Sequence, residues 1–538
     1  MKHSGLLFFL LISYFTQGQN TFFSGVIPGD KSKLVKGNTS SEQYLASTFS
    51  EDNLKKFLSV LASDSLEGRE TGQKGLELAG DYITTHLNKF GLYPNPKTRN
   101  YFQPIAFTYS KWIDTDLYVN GNRFRHMWDY VAFPEQNENK AIIKTEEVIF
   151  LGYGIQDAKY NDYKKAKVKD KVIIINEGEP INEKGLSVIT KDTVLSDWSR
   201  DLHRKLKVAK ENGVALVLII SNDFKKKVEE NRRRFLSPFL QLGDQKSKTL
   251  ETANYAYISS DVAKAIFGTE DQKVIKARKK ILKGKPANVK LPSNFIINMS
   301  KDVQLVKGNN IVGFIEGRTK KDEIIVVSAH YDHLGRKGDE IFNGADDNGS
   351  GSATLMELSR LFQAAVDRAE RPNRSVAFVW FAGEEKGLLG SDYYASNPVF
   401  PLENTMTNVN IDMVGRIDSD HVKDSSYIYV IGSDRLSKGL DDVVKSTNEK
   451  YAGLTLDYKY NDENDPNKYY YRSDHYNFAS RGIPSVFFFN GTHEDYHRPS
   501  DDIEKINFKI MAERGRFIFH IIWALANQEA SIVKDLKG

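Results

Sequence analysis

Apolar residues recur along this chain in two rhythms, and the alternation between them predicts an α/β protein. Leu54, Phe57, Leu58 and Leu61 keep helical spacing, and a second amphipathic run follows through Leu76, Ala79, Tyr82, Ile83 and Leu87, with a turn-rich stretch over 64–72 between them. Over 112–133 the pattern becomes strand-like and aromatic. The middle segment, 111–285, alternates short apolar strands (147–151, 171–175, 215–220) with turns. A helix through Leu202, Leu206, Ala209 and Asn212 stops at Gly213, where a C-terminal glycine belongs. This segment predicts an α/β insertion with its own core. From residue 310 onward, strands over 310–316, 324–329, 375–381, 409–412, 427–432 and 485–489 alternate with helices, 352–365 among them, as in a doubly wound sheet. An amphipathic helix over 508–528 closes the chain.

At 538 residues the chain exceeds one ordinary core, so two domains or one domain with an insertion is expected. Its 75 basic and 71 acidic residues leave a net charge of +4, which gives no sequence-wide case for nucleic acid or an anionic membrane. The run Lys225 to Lys227 and Arg232 to Arg234, interrupted by Glu229 and Glu230, reads as a solvated helix face. Residues 1–20 read as a secretion signal: Lys2 supplies the charge, 5–15 an apolar run too short to span a bilayer, and Thr16 and Gly18 a cleavage site. The expected division is 1–18 as signal, 19–110 and 286–538 as the two parts of the main domain, and 111–285 as the insertion. No window after the signal is apolar enough to span a membrane. The absence of cysteine excludes disulfides, and a periplasmic or extracellular setting fits best.

Chemistry gathers just past strand ends, where open α/β sheets bind ligands. After 324–329 comes His330, a metal-ligand candidate, with Asp332 placed to steady its ring. The small-residue loop 344–351 carries Asp347, able to reach two ions at once, although the same residues suit a helix cap and turn. After 375–381 stand Glu384 and Glu385. Glutamate pairs are common on surfaces, but at a sheet mouth one can bind metal (Glu385) while the other moves protons (Glu384). Asp412, framed by apolar residues, is a costly charge unless paired or metal-bound. His497 completes the donors, and the phenol of Tyr496 can donate to an oxyanion. Imidazole and carboxylate donors without thiolate suit two zinc ions and metal-assisted hydrolysis. His475 reads as structural, His333 and His493 as surface or rim groups, and Arg416 and Arg472 as salt-bridge partners ahead of substrate-binding groups.

With these residues in place, the chain resembles the co-catalytic zinc peptidases of clan MH, the group of secreted bacterial aminopeptidases, glutamate carboxypeptidase II and the transferrin receptor. The likeness spans about 53–527 and includes Gly68-Arg69, 473–478 and 482–484. Within the insertion, 152–155, Asp162-Tyr163, 169–175 and 209–220 resemble a protease-associated domain. The resemblance implies a three-layer α/β/α domain with a mixed, largely parallel sheet plus the inserted α/β domain. It implies one zinc on His330 and Asp412, a second on Glu385 and His497, Asp347 bridging, and a cis peptide after Asp347. The implied activity is an exported aminopeptidase acting on peptides. A glutamate-type carboxypeptidase is the nearest alternative, followed by a one-zinc glutaminyl cyclase and a receptor-like binding protein. Residue preference and oligomeric state are not legible.

Overall fold

The computed structural model describes residues 40–236, 239–245 and 249–536. The signal expected over 1–18 lies outside them. Helix α1 (Glu51–Leu61) starts at Ser50, whose hydroxyl accepts the Asn53 N–H, and buries Leu54, Phe57, Leu58 and Leu61. Helix α2 (Lys74–Phe90) ends at Gly91, which takes the left-handed conformation at φ +92°.

The middle segment is organised by strands β1 (Phe102–Asp114), β2 (Lys140–Phe150), β3 (Val172–Asn176), β4 (Leu216–Ile220), β5 (Tyr255–Ile258) and β6 (Val289–Ile315). β2, β3, β4 and β5 pair in parallel, and the first half of β6 lies antiparallel to β2. Successive residues serve opposite faces. Ile174, Leu218 and Ala256 join one apolar cluster, whereas Ile173, Ile175, Val217 and Tyr257 join another. β6 reaches far beyond the strand expected over 310–316. Lys301, Asp302 and Lys307 dilute the apolar signal in its middle, where the register with β1 rather than hydrophobicity holds the strand.

The second half of β6 enters another sheet with β7 (Lys320–His330), β8 (Arg374–Phe381), β9 (Thr405–Ile411), β10 (Tyr427–Ile431) and β11 (Ser485–Phe489). The order is β1-β6-β8-β7-β9-β11-β10; β8, β7, β9 and β11 run parallel, and both flanks are antiparallel. Ile325, Val327 and Ala329 face α1, α2, helix α3 (Gly351–Asp367) and helix α4 (Phe508–Asn527). Ile324 and Val326 face the opposite way, towards Tyr394 and Phe478. Helices therefore cover both faces of a mixed, largely parallel sheet. Among the described residues no helix is long and apolar enough to cross a membrane.

Candidate metal centre

Parallel pairing brings several strand ends to one edge: His330 lies opposite Phe381, so Glu384 and Glu385 emerge beside the imidazole, and Asp412 follows the end of β9. The loop 344–351 is drawn onto the same edge by Asn348, whose side-chain carbonyl accepts the Met413 and Gly351 N–H groups while its amide donates to the Ile411 carbonyl. Gly351 must lack a side chain, because a Cβ would stand 2.2 Å from Asn348 Oδ1 and 2.5 Å from the Ile411 carbonyl. The Asp347–Asn348 peptide is cis.

Two clusters meet across Asp347. Its Oδ1 lies 3.4 Å from His330 Nε2, which is 3.3 Å from Asp412 Oδ1 and 3.8 Å from Glu384 Oε2. Its Oδ2 lies 3.0 Å from His497 Nε2, which is 3.2 Å from Glu385 Oε2. Donors about 2.0–2.1 Å from a tetrahedral ion stand about 3.3 Å from one another, the spacing seen in both clusters. Buried carboxylate oxygens Asp347 Oδ2, Glu385 Oε1 and Asp412 Oδ1 have no hydrogen-bond partner, a costly condition that a cation would relieve. The Ser473 hydroxyl takes the other oxygen of Asp412 at 2.7 Å, leaving Oδ1 towards His330. These residues fit a pair of zinc ions.

The protein's own charges divide the two glutamates. Burial drives the Glu384 carboxyl well above the usual range; His330 offsets part of this, and Asp412 and Glu385 add to it. Burial and Asp347 act on Glu385 in the same direction, but His497 and His333 outweigh them and bring it down to about 2. Burial opposes charge on His497, yet Glu385 and Asp347 push it up to about 10. Bound cations would reverse that last effect, since a ligating imidazole must be neutral. Opposed environments for adjacent acids are the pattern of a proton carrier beside a ligand.

Several surroundings differ from expectation. The Asp332 carboxylate stands 3.8 Å from His330 Nδ1, which instead faces the Asp332 main-chain carbonyl at 3.1 Å. The carboxylate accepts the Thr71 hydroxyl and the Glu384 N–H, so it fixes the backbone of Glu384. His333 and His493 are not surface groups. His333 is fully buried against Glu385, and the His493 side chain is enclosed beside Asp346 at 3.2 Å. Gly344 lets its loop close over the His333 ring, where a Cβ would stand 2.5 Å from two ring carbons. Arg416 forms an internal ion pair with Asp495 at 3.0 Å, whereas Arg472 donates to the Tyr496 hydroxyl at 3.1 Å and lies over the Tyr469 ring. Tyr496 stacks on His497 and, with Asp347, Glu384 and Asp412, walls a pocket whose other side is Met413, Phe487 and Phe489.

Sequence reasoning missed the supports beneath these residues. The Asp501 carboxylate accepts the main-chain N–H groups of Asp346 and Asp347, and Asp346 accepts the Gly415 N–H and the Asn490 amide. Buried Arg69 donates to the carbonyls of Tyr331 (2.9 Å), Asn343 (2.7 Å), Gly344 (3.1 Å) and Leu61. Burial lowers its pKa to about 10 against the pull of Asp332 and Asp347, so it stays charged at neutral pH.

His475 packs against Phe487 and Tyr470, and burial pulls its pKa down to about 3. Below about pH 6.5 the unfolded chain takes up this proton and the folded chain does not, so stability falls as pH drops through that window. Replacing His475 with phenylalanine should flatten the slope of unfolding free energy between about pH 4 and 6 by about 1.4 kcal/mol per pH unit. Denaturant titrations with the same slope in both proteins would remove His475 from the acid response.

Residues 310–522 match the family described as Peptidase family M28. Probable leucine aminopeptidase 1 of Trichophyton verrucosum is 30% identical over 227 residues, 40% of this chain and 58% of that protein. Aminopeptidase YwaD of Bacillus subtilis is 28% identical over 240 residues, 43% of this chain and 48% of that protein. The chain thus spans about half the length of these curated relatives. Among solved structures, an aminopeptidase from Aneurinibacillus sp. strain AM-1 aligns with a TM-score of 0.55 at 16% identity, covering 92% of this chain and 99% of that one. At that identity the likeness is one of fold.

Proposed function

We propose that this chain, which carries a peptidase family M28 domain over residues 310–522, is an exported di-zinc aminopeptidase that removes residues from peptide N-termini. The observation that carries the reading is Asp347, which turns one oxygen to each of two donor clusters while Glu384 stands beside them. His330 and Asp412 would hold one ion, Glu385 and His497 the other. When bound, the ions polarise the scissile carbonyl and make water a usable nucleophile near neutral pH. Glu384 takes the proton from the attacking water and returns it to the departing nitrogen, so the C–N bond breaks to a neutral amine rather than an amide anion. The Tyr496 hydroxyl donates to the carbonyl oxygen as it gains charge.

Relatives named aminopeptidases support the N-terminal direction. The carboxypeptidase alternative draws on Arg472 in the pocket wall, but that guanidinium already serves Tyr496, and Asp347, Glu384 and Asp412 offer partners for a free amine. The apolar leader over 1–20 supports export, and the likeness of the middle segment to a protease-associated domain supports a substrate-restricting role for it.

A panel of N-acetylated and C-amidated peptides tests the direction: acetylation should abolish cleavage and amidation should leave it, and the opposite outcome would make the enzyme a carboxypeptidase. Excess chelator should remove activity and Zn2+ restore it. Unchanged hydrolysis in chelator would dismiss the metal mechanism.

A further inference from the structure

We propose that Glu70 and Lys386 are positioning residues for Glu384, an ion pair that clamps the turn carrying this carboxylate to the loop over 64–72. The inference rests on the reading of Glu384 as the group that moves the proton. Lys386 stands two residues beyond Glu384 in the same turn, and its Nζ lies 2.7 Å from Glu70 Oε1. The lysine and glutamate side chains are 14% and 21% exposed, so water and salt weaken this pair less than one on an open surface.

The grip is two-sided. The Thr71 hydroxyl donates to Asp332 Oδ2 at 2.9 Å, and Asp332 Oδ1 accepts the Glu384 N–H at 3.1 Å. Consecutive residues thus reach both parts of the turn, Thr71 through Asp332 to the main chain of Glu384 and Glu70 directly to Lys386. The turn is closed on itself by the Gly387 and Leu388 N–H groups, each 2.9 Å from the Glu384 carbonyl, so its residues move together. Glu70 is itself held in place. Its main chain bridges in parallel to His333, whose N–H donates to the Arg69 carbonyl at 3.2 Å. Gly335 leaves room for the glutamate and no more, since a Cβ there would stand 2.5 Å from Glu70 Cβ and 2.7 Å from its Oε2.

The need for such a clamp follows from the division of labour between the two glutamates. A ligand such as Glu385 is fixed by the ion it binds, whereas a carboxylate left free to exchange protons has no ion to fix it. It must be held by its neighbours within hydrogen-bond reach of the reacting water. A misplacement of about 1 Å can cost about 100-fold in rate.

Steady-state kinetics of full-chain variants test this, with zinc content and urea midpoints measured alongside. Lys386→Met and Glu70→Gln should each lower kcat by about 10- to 100-fold at unchanged KM and unchanged zinc content. Lys386→Arg should recover most of the rate, because a guanidinium keeps the charged bond to Glu70. The decisive arm places Glu70→Gln in the Glu384→Gln background. No base is left there to position, so the added substitution should change kcat by less than about twofold. An equal fall in both backgrounds would show that the pair serves the fold rather than Glu384, and would overturn the proposal. Wild-type kcat in both single variants would overturn it too, as would loss of zinc, which would assign the pair to the metal ligands. Each of these results leaves the di-zinc enzyme standing. Near-normal turnover in Glu384→Gln alone would instead defeat the reading of Glu384 and this inference together.

Discussion

In the Glu384→Gln variant two zinc ions should stay bound and turnover should fall by about two to four orders of magnitude, the range associated with losing a positioned general base. The retention of metal follows from geometry. Asp347, Glu385, Asp412, His330 and His497 supply the close donor contacts, whereas Glu384 Oε2 lies 3.8 Å from His330 Nε2. The loss of turnover follows from chemistry, because an amide of the same shape accepts hydrogen bonds but takes no proton. The loss should appear in kcat with little change in KM, since the group acts on the reacting water rather than on peptide binding. A variant turning over within threefold of wild type at equal zinc content would take the role from Glu384.

Replacing Arg69 with methionine should cost on the order of 3–4 kcal/mol of unfolding free energy, measured without metal so that ion binding does not mask the loss. The guanidinium serves carbonyls of Leu61, Tyr331, Asn343 and Gly344, which belong to the end of α1, the segment after β7 and the entrance to the Asp347 loop. Methionine fills the space but leaves those buried acceptors without donors. Arg69→Lys should recover only part of the stability, because an ammonium cannot fan out to so many acceptors. Urea midpoints within about 0.5 kcal/mol of wild type at an unchanged m-value would show that water replaces the guanidinium without penalty.

The contrast between these residues explains what the sequence makes legible. His330, Glu384, Glu385 and Asp412 each stand just past an apolar strand, so the strand pattern itself points at them. Arg69 leaves no such trace, since its acceptors at Tyr331, Asn343 and Gly344 lie 262, 274 and 275 residues away and are main-chain atoms of any residue type. Asp501 acts likewise on main-chain N–H groups. His333 reads as a rim group because the residues that enclose it, Gly344 and Glu385 among them, are brought over it only by the fold. Among the elements, helix 271–282 hides its single apolar stripe of Val274, Ala277 and Ile281 among Lys273, Lys276, Lys279 and Lys280. The continuous apolar runs of the parallel strands over 324–329, 375–381 and 485–489, by contrast, give the sheet directly.

The ladder between β1 and β6 sets Lys111 beside Asp302 and Ser110 beside Val303, so the chain leaves the catalytic sheet and returns to it on adjacent rungs. The segment between those rungs hangs from this two-strand junction and also lays a short strand of its own, 239–242, antiparallel along β1 at 107–110. Replacing that segment would therefore strip an outer strand from β1, while the edge bearing His330, Glu384 and Asp412 keeps its pairing on the far side of β6.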